Sequence, residues 1–425
     1  MIVLKDATYI DWKTLEFKKG NILVEEGINA PIKFIDNLEK LDSNTTILDC
    51  KNRYVTKSFG NSHHHIYSAL ATRMPAPKIN LGNFYEILKY IWWTLDKSLD
   101  LEMIKYSAYV TAIACAKNGV TFVIDHHASP YAVEGSLQTI ADAFNEVGVG
   151  HLLCYEISDR DGVNIARKGL AETEKYMQNN QALVGLHASF TLTNKTLEKA
   201  VSLAKKYNSG IHVHVAEDIY DQEHCYDIHN KRVVERFKDY GVLDLPKSLL
   251  IHCLYLTDDE RALIRESGVH VAQNTESNLN NSVGQFSSRS IGNNILLGTD
   301  GMHSDMLRAA KATFFSSQLT DTVGYDEIYR RFRNIHNYLD KNEIIGDGEN
   351  NLVVLDYQPN TYFSSDNFYG HFLFGIESSH VQHVISNGKL IVKDRQITTV
   401  NETEIKEKAQ RLSQKLWAKM SELSE

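Results

Sequence analysis

Eight short, β-rich apolar runs recur through the middle of the chain, spaced about 20 to 60 residues apart. They are the stretch ending at Ser62, then 120–125, 149–154, 182–187, 211–215, 249–253, 269–272 and 294–300. Every gap has room for a helix. Segments 102–117 and 194–207 carry apolar residues at helical spacing. Strand–helix alternation repeated eight times predicts an α/β chain with a (β/α)8 TIM-like barrel.

The two chain ends read differently. Short apolar strands separated by Lys19-Gly20 and Glu26-Gly27 fill the first 55 residues. The same texture returns after residue 350, where Asn387-Gly388 marks a hairpin turn because both residues tolerate positive φ. The expected organisation is a small β-sandwich from 1–55 and 350–402, a barrel over 56–349, and a Lys- and Glu-rich amphipathic helix over 403–425.

A net charge of -9 without a long basic run argues against a nucleic-acid or anionic-membrane partner and leaves a small molecule as the expected substrate. The five cysteines are scattered and odd in number, which argues against a disulfide framework. An acid at Asp6 interrupts the apolar core that a signal peptide would need, and no apolar stretch is long enough to span a bilayer. A cytoplasmic protein is expected.

The chemistry-bearing residues fall at the ends of the expected strands, where barrels of this type place their sites. His63 and His65 end the first strand and share a face by the two-residue period of a strand. His187 ends the fourth and His214 the fifth, with Glu217 three residues on; His252 ends the sixth and Asp300 the eighth. Three imidazoles and a carboxylate can hold a divalent cation and leave room for a water. Glu217 suits proton transfer, His252 could polarise an electrophile, and Asp300 could touch the cation and accept a proton. A single histidine at a strand end is more often structural. The weight lies in HxH, HxHxxE, HC and TDG occurring in that order on separate strands. His64 should face away, His126 and His127 are ambiguous, and His212 shares the parity of His214.

That order of motifs resembles the amidohydrolase superfamily, in its aminohydrolase and chlorohydrolase branch. The stretches 65–71, 92–96, 125–129, 276–281 and 298–302 are similar to SsnA-type aminohydrolases. The resemblance implies His63, His65, His214 and Asp300 as ligands of one divalent metal ion. It further implies Glu217 as proton shuttle, His252 beside the hydrolytic water, and His187 at the substrate. Two-metal relatives use a modified lysine at a middle strand, and no lysine ends strand three or four. Zinc is the default metal, with iron(II) or manganese as alternatives. Relatives commonly pair, so a homodimer is one expectation, and the sequence itself leaves the oligomeric state open.

The resemblance implies hydrolytic deamination of a nitrogen heterocycle or amidine. Cyclic amide hydrolysis, dechlorination and a catalytically silent metal binder are the competing readings. Trp92 and Trp93 could stack on a flat ring or simply pack a helix, and Arg73 could meet an anionic group or be exposed.

Overall fold

The computed structural model describes residues 1–38, 41–77 and 80–424. Residues 39–40, 78–79 and 425, which belong to the expected sandwich, barrel and terminal helix respectively, lie outside the described residues. Eight parallel strands stand in sequence order: β1 (Phe59–His64), β2 (Val120–His127), β3 (Gly150–Ile157), β4 (Val184–Ala188), β5 (Ile211–Val215), β6 (Leu249–His252), β7 (His270–Gln273) and β8 (Ile295–Leu297).

The barrel closes between β8 and β1. Thr299 N and Asp300 N both donate to His63 O, at 3.1 and 3.0 Å. Ser62 Oγ donates to Leu297 O at 2.5 Å. Gly298 is required at this seam, because a Cβ there would lie 2.9 Å from His63 Cβ.

Strand alternation explains which residues face inward. Phe122 and Ile124 of β2, Leu152 and Cys154 of β3, Leu183 before β4, and Leu249 and Ile251 of β6 join one interior cluster. Ile335, Tyr338 and Leu339, from helix Tyr325–Lys341, pack into the same cluster. Each such buried side chain contributes about 1.5–3 kcal/mol. The outer helices follow their local signals. In helix Asn194–Lys206, the Thr193 side chain accepts from Thr196 N, and Leu197, Ala200, Val201 and Ala204 are buried on one face.

The chain ends form a second, nine-stranded sheet with its own apolar cluster around Leu4, Ile22, Leu352, Val354 and Ile385. Strand Ile2–Ile10 carries a bulge between Leu4 and Ala7. It pairs with Thr46–Asp49 before the bulge and with Tyr54–Lys57 after it, so the sheet forks there. The run ending at Ser62 is therefore two strands. Tyr54–Lys57 belongs to the outer sheet and β1 to the barrel, with Ser58 as the break. Helix Glu402–Ser424 packs on helix Leu101–Lys117, and its Trp417 Nε1 donates to Leu70 O at 2.9 Å. No helix among the described residues is long and apolar enough to cross a membrane.

A buried charge cluster locks sheet to barrel at that break. Lys57 Nζ lies 2.9 Å from Asp347 Oδ1 and donates to Asp347 O and Gly348 O. His336 Nδ1 lies 2.7 Å from Asp347 Oδ2. Arg333 Nη1 donates to Lys57 O and Ser58 O at 2.9 and 2.8 Å. Burial alone would raise the Asp347 pKa, but His336 and Lys57 outweigh it and hold the carboxyl at about 2. A depressed carboxylate pKa stabilises the fold above the ordinary value of 3.8 and loses that contribution as pH falls through about 2. The expected loss across that window is roughly 2 kcal/mol. Lys57→Met, which strands the carboxylate, is expected to cost about 3–5 kcal/mol in denaturant unfolding at pH 7.

Candidate metal centre

Four of the expected residues converge at the barrel mouth. His65 Nε2 lies 3.0 Å from Asp300 Oδ1 and 3.2 Å from His214 Nε2. His63 Nε2 lies 3.5 Å from the same Asp300 oxygen. The ligand atoms of His63, His65 and His214 all fall within 4.8 Å of one another, as do those of His63, His252 and Asp300. All of these side chains are buried.

A second layer aims the rings. His65 Nδ1–H donates to His126 O at 2.7 Å, and His214 Nδ1–H donates to His187 O at 2.8 Å. His214 Nε2 is thereby left as a lone pair facing the cluster. His63 Nδ1 meets His212 Nε2 at 2.9 Å, so the ring that sequence parity places on the barrel interior stands behind a candidate ligand. With His63 donating in that contact, its Nε2 is also a bare acceptor, and it has no hydrogen-bond partner among the described residues. Two buried imidazole acceptors, His63 and His214, gathered with His65 beside one carboxylate match what a divalent cation needs.

His252 arrives by a different route. Leu249 and Ile251 point inward, so alternation would turn His252 outward. The backbone leaves strand geometry there with φ of 70° at His252 and 54° at Cys253. The ring then stacks 5.5 Å from His214. The Asn278 amide donates to His252 Nδ1 at 2.8 Å, which fixes the Nε2–H tautomer. That N–H faces Glu217 Oε2 at 3.4 Å and Asp300 Oδ2 at 3.9 Å. Left-handed backbone recurs at Ala216 and Asp300, with φ of 46° and 54°. Ala216 N is held by Asp221 Oδ2 at 2.9 Å, and Ser277 Oγ donates to Asp300 Oδ2 at 2.5 Å. Non-glycine residues in this region carry strain that the surrounding bonds must hold.

The electrostatics follow from burial. It pulls His63 down to about 4 and His252 to about 3, and sends His214 well below its ordinary value. Burial also lowers His65, but the Asp300 carboxylate more than offsets this and holds it at about 9. Asp300, raised by burial, is driven well below the usual carboxylate range by His65 and His63. Glu217 rises well above its ordinary value through burial and the Asp300 charge.

His187 lies over the mouth, 5.6 Å from His214 between ring centroids. Thr191 Oγ1 donates to Ala188 O and so accepts from His187 Nδ1, leaving His187 Nε2 as an acceptor. His187, Trp92 and Trp93 line one cavity with His65, Glu217, His252 and Asp300. Arg73 does not join them. The chain turns tightly after Ser68, passes through φ of 68° at Arg73, and leaves that side chain exposed beside a different cavity with His303 and Trp417. His127 bonds Ser129 instead of the cluster.

Sequence reasoning missed Glu156 and Arg160, which line the same cavity. Strand three was expected to finish near Cys154, whereas β3 runs on to Ile157. Two more residues of inward parity after Cys154 would have found Glu156. Asn278 and Ser277 sit in a stretch already similar to the family, but no local pattern marks their contacts.

The chain belongs to the amidohydrolase family, whose model matches residues 54–328. It is a hydrolase of carbon–nitrogen bonds. A 5-methylthioadenosine/S-adenosylhomocysteine deaminase of Thermoanaerobacter pseudethanolicus is 26% identical, with 94% of this chain and 95% of that protein covered. A 5'-deoxyadenosine deaminase of Methanocaldococcus jannaschii is also 26% identical, covering 93% and 96%. A crystal structure of an adenosine deaminase from Xanthomonas campestris with bound zinc has the same fold, with a TM-score of 0.83 at 15% identity over 98% of each chain.

In the cation-free chain, His65 is expected to keep both ring protons up to about pH 9 while His63 stays neutral down to about pH 4. Asp300→Asn removes the charge that holds the His65 proton and should leave that ring neutral at pH 7. Histidine-selective 15N spectra of the two chains check both outcomes.

Proposed function

We propose that the chain is an aminohydrolase that releases ammonia from an amino-substituted nitrogen heterocycle or amidine, with one divalent cation held by His63, His65, His214 and Asp300. The observation that carries this reading is the convergence of the His63, His65 and His214 ring nitrogens on one point, with His63 and His65 against the Asp300 carboxylate. Zinc is the cation this donor set suits by default, with iron(II) and manganese as alternatives. Bound there, such a cation would lower the pKa of a water to roughly 7 and make it a nucleophile at neutral pH.

The chain's own groups do the rest. Glu217 takes the proton of the attacking water and passes it to the departing nitrogen; its raised pKa suits a group that must both accept and donate. His252 Nε2–H, fixed by Asn278, donates to the oxygen that becomes negative during attack. Asp300 orients the water and holds the positive charge of its neighbours. His187 Nε2 accepts from the substrate, and the Trp92 and Trp93 rings wall a flat ligand. The relatives named for deaminating adenosine-type nucleosides support a purine-like substrate.

Ammonia release from a panel of aminopurines, aminopyrimidines and pterins tests the reaction; a metal-loaded chain inert on every member would sink it. Glu217→Gln is expected to lower kcat by about 10²–10⁴-fold on any substrate found. Binding of the cation must displace the His65 proton, because His65 is held protonated at about 9. Titration calorimetry at pH 7 in buffers of different ionisation enthalpy should therefore read release of about one proton per cation. Affinity should climb with pH until about 9 and then level.

A further inference from the structure

Glu156 stands at the cavity wall as an acceptor without a donor. It follows Leu152 and Cys154 on the inward row of β3, and its side chain is 4% exposed. Its Oε1 has no hydrogen-bond partner among the described residues, the nearest cation atom being Arg160 Nη2 at 3.4 Å. Its Oε2 lies 3.6 Å from His126 Nδ1. That contact supplies no proton, because His126 Nε2–H already donates to Leu186 O at 3.0 Å and leaves Nδ1 a lone pair.

Arg160 is committed elsewhere. It contacts the Asp96 carboxylate and donates from Nε to Asp161 Oδ2 at 3.1 Å. Lys97 is paired with Asp161 at 2.8 Å. Three carboxylates, Asp96, Asp161 and Glu156, thus face two cations, and Glu156 is the one left without a close partner. A buried carboxylate oxygen in that condition is costly unless a ligand brings a donor to it. The guanidinium of Arg160 also lies 5.2 Å from the Trp93 ring centroid, so a flat wall adjoins the acceptor. Glu156 and His126 keep their ligand atoms within 4.8 Å of that of His214, a distance on the scale of one six-membered ring.

We infer that Glu156 is a specificity-determining residue that accepts an N–H from the substrate, and that the substrate is a planar amino-lactam, with an amide-type ring N–H beside the carbon that loses its amine. The inference rests on the aminohydrolase reading of the same site and narrows its substrate class. No covalent step is added: Glu156 binds, while Glu217 moves the proton.

Matched pairs provide the test: guanine with 2-aminopurine, isocytosine with 2-aminopyrimidine, and pterin with 2-aminopteridine. The second member of each pair lacks the lactam N–H. Binding is read by calorimetry on zinc-loaded Glu217→Gln protein. The lactam member of each pair is expected to bind about tenfold tighter or more. In Glu217→Gln/Glu156→Gln the difference should collapse, with metal content unchanged. Equal binding within pairs, no binding of the lactam members, or a difference that survives Glu156→Gln overturns the inference. Loss of metal in Glu156→Gln also overturns it, since the carboxylate would then belong to the cation. Should that variant fail to fold, the pairs on the Glu217→Gln chain decide alone. Ammonia release by the unaltered chain is scored separately. Lactam-selective binding without any ammonia release overturns the aminohydrolase reading and leaves the Glu156 assignment standing. Ammonia release from the non-lactam members alone does the reverse.

Discussion

Two backbone bonds from Thr299 N and Asp300 N to His63 O close the barrel, and the site depends on them. They join the first and last strands, which are more than two hundred residues apart in sequence. The same bonds set His63 and Asp300 side by side, so closing the fold and assembling the cluster are one event. Asn61 reinforces the seam, its Nδ2 donating to Thr299 Oγ1 at 2.6 Å and its Oδ1 accepting from Thr299 N. Gly298 lets the two strands approach closely enough.

Around that seam the barrel collects acceptors. His63, His65, His126, His212 and His214 are buried within a few ångströms of one another, and burial keeps all but His65 neutral. Such a group of lone pairs opposes folding unless something positive sits among it. In the cation-free chain the His65 proton serves, shared with Asp300. In the proposed reading a divalent cation takes its place, which ties metal affinity to a proton. Left-handed backbone at Ala216, His252 and Asp300 marks the three points where the chain turns to aim Glu217, His252 and Asp300.

Much of this was legible in the residue order, and the reasons differ from case to case. The barrel strands announce themselves because buried parallel strands are short apolar runs. His187 and His214 keep the inward parity of their own strands. Glu156 obeys the same rule and was missed only because β3 continues three residues past Cys154. His252 breaks the rule: motif order located it, yet alternation points it outward, and a positive φ turns it back. Arg73 shows the opposite failure, a charge near the first ligands in sequence that a tight turn carries away from the mouth.

What the amino-acid sequence determined alone is the barrel, the sheet built from both ends, the family, and the identity of the residues at the strand ends. Periodicity is a local property, so each strand can be read without its neighbours. The tertiary structure alone decided which lone pairs face each other, which ring nitrogen is free, and which carboxylate lacks a partner. Those depend on register between distant strands and on turns held by side chains from other elements, and neither leaves a mark in a short window of sequence.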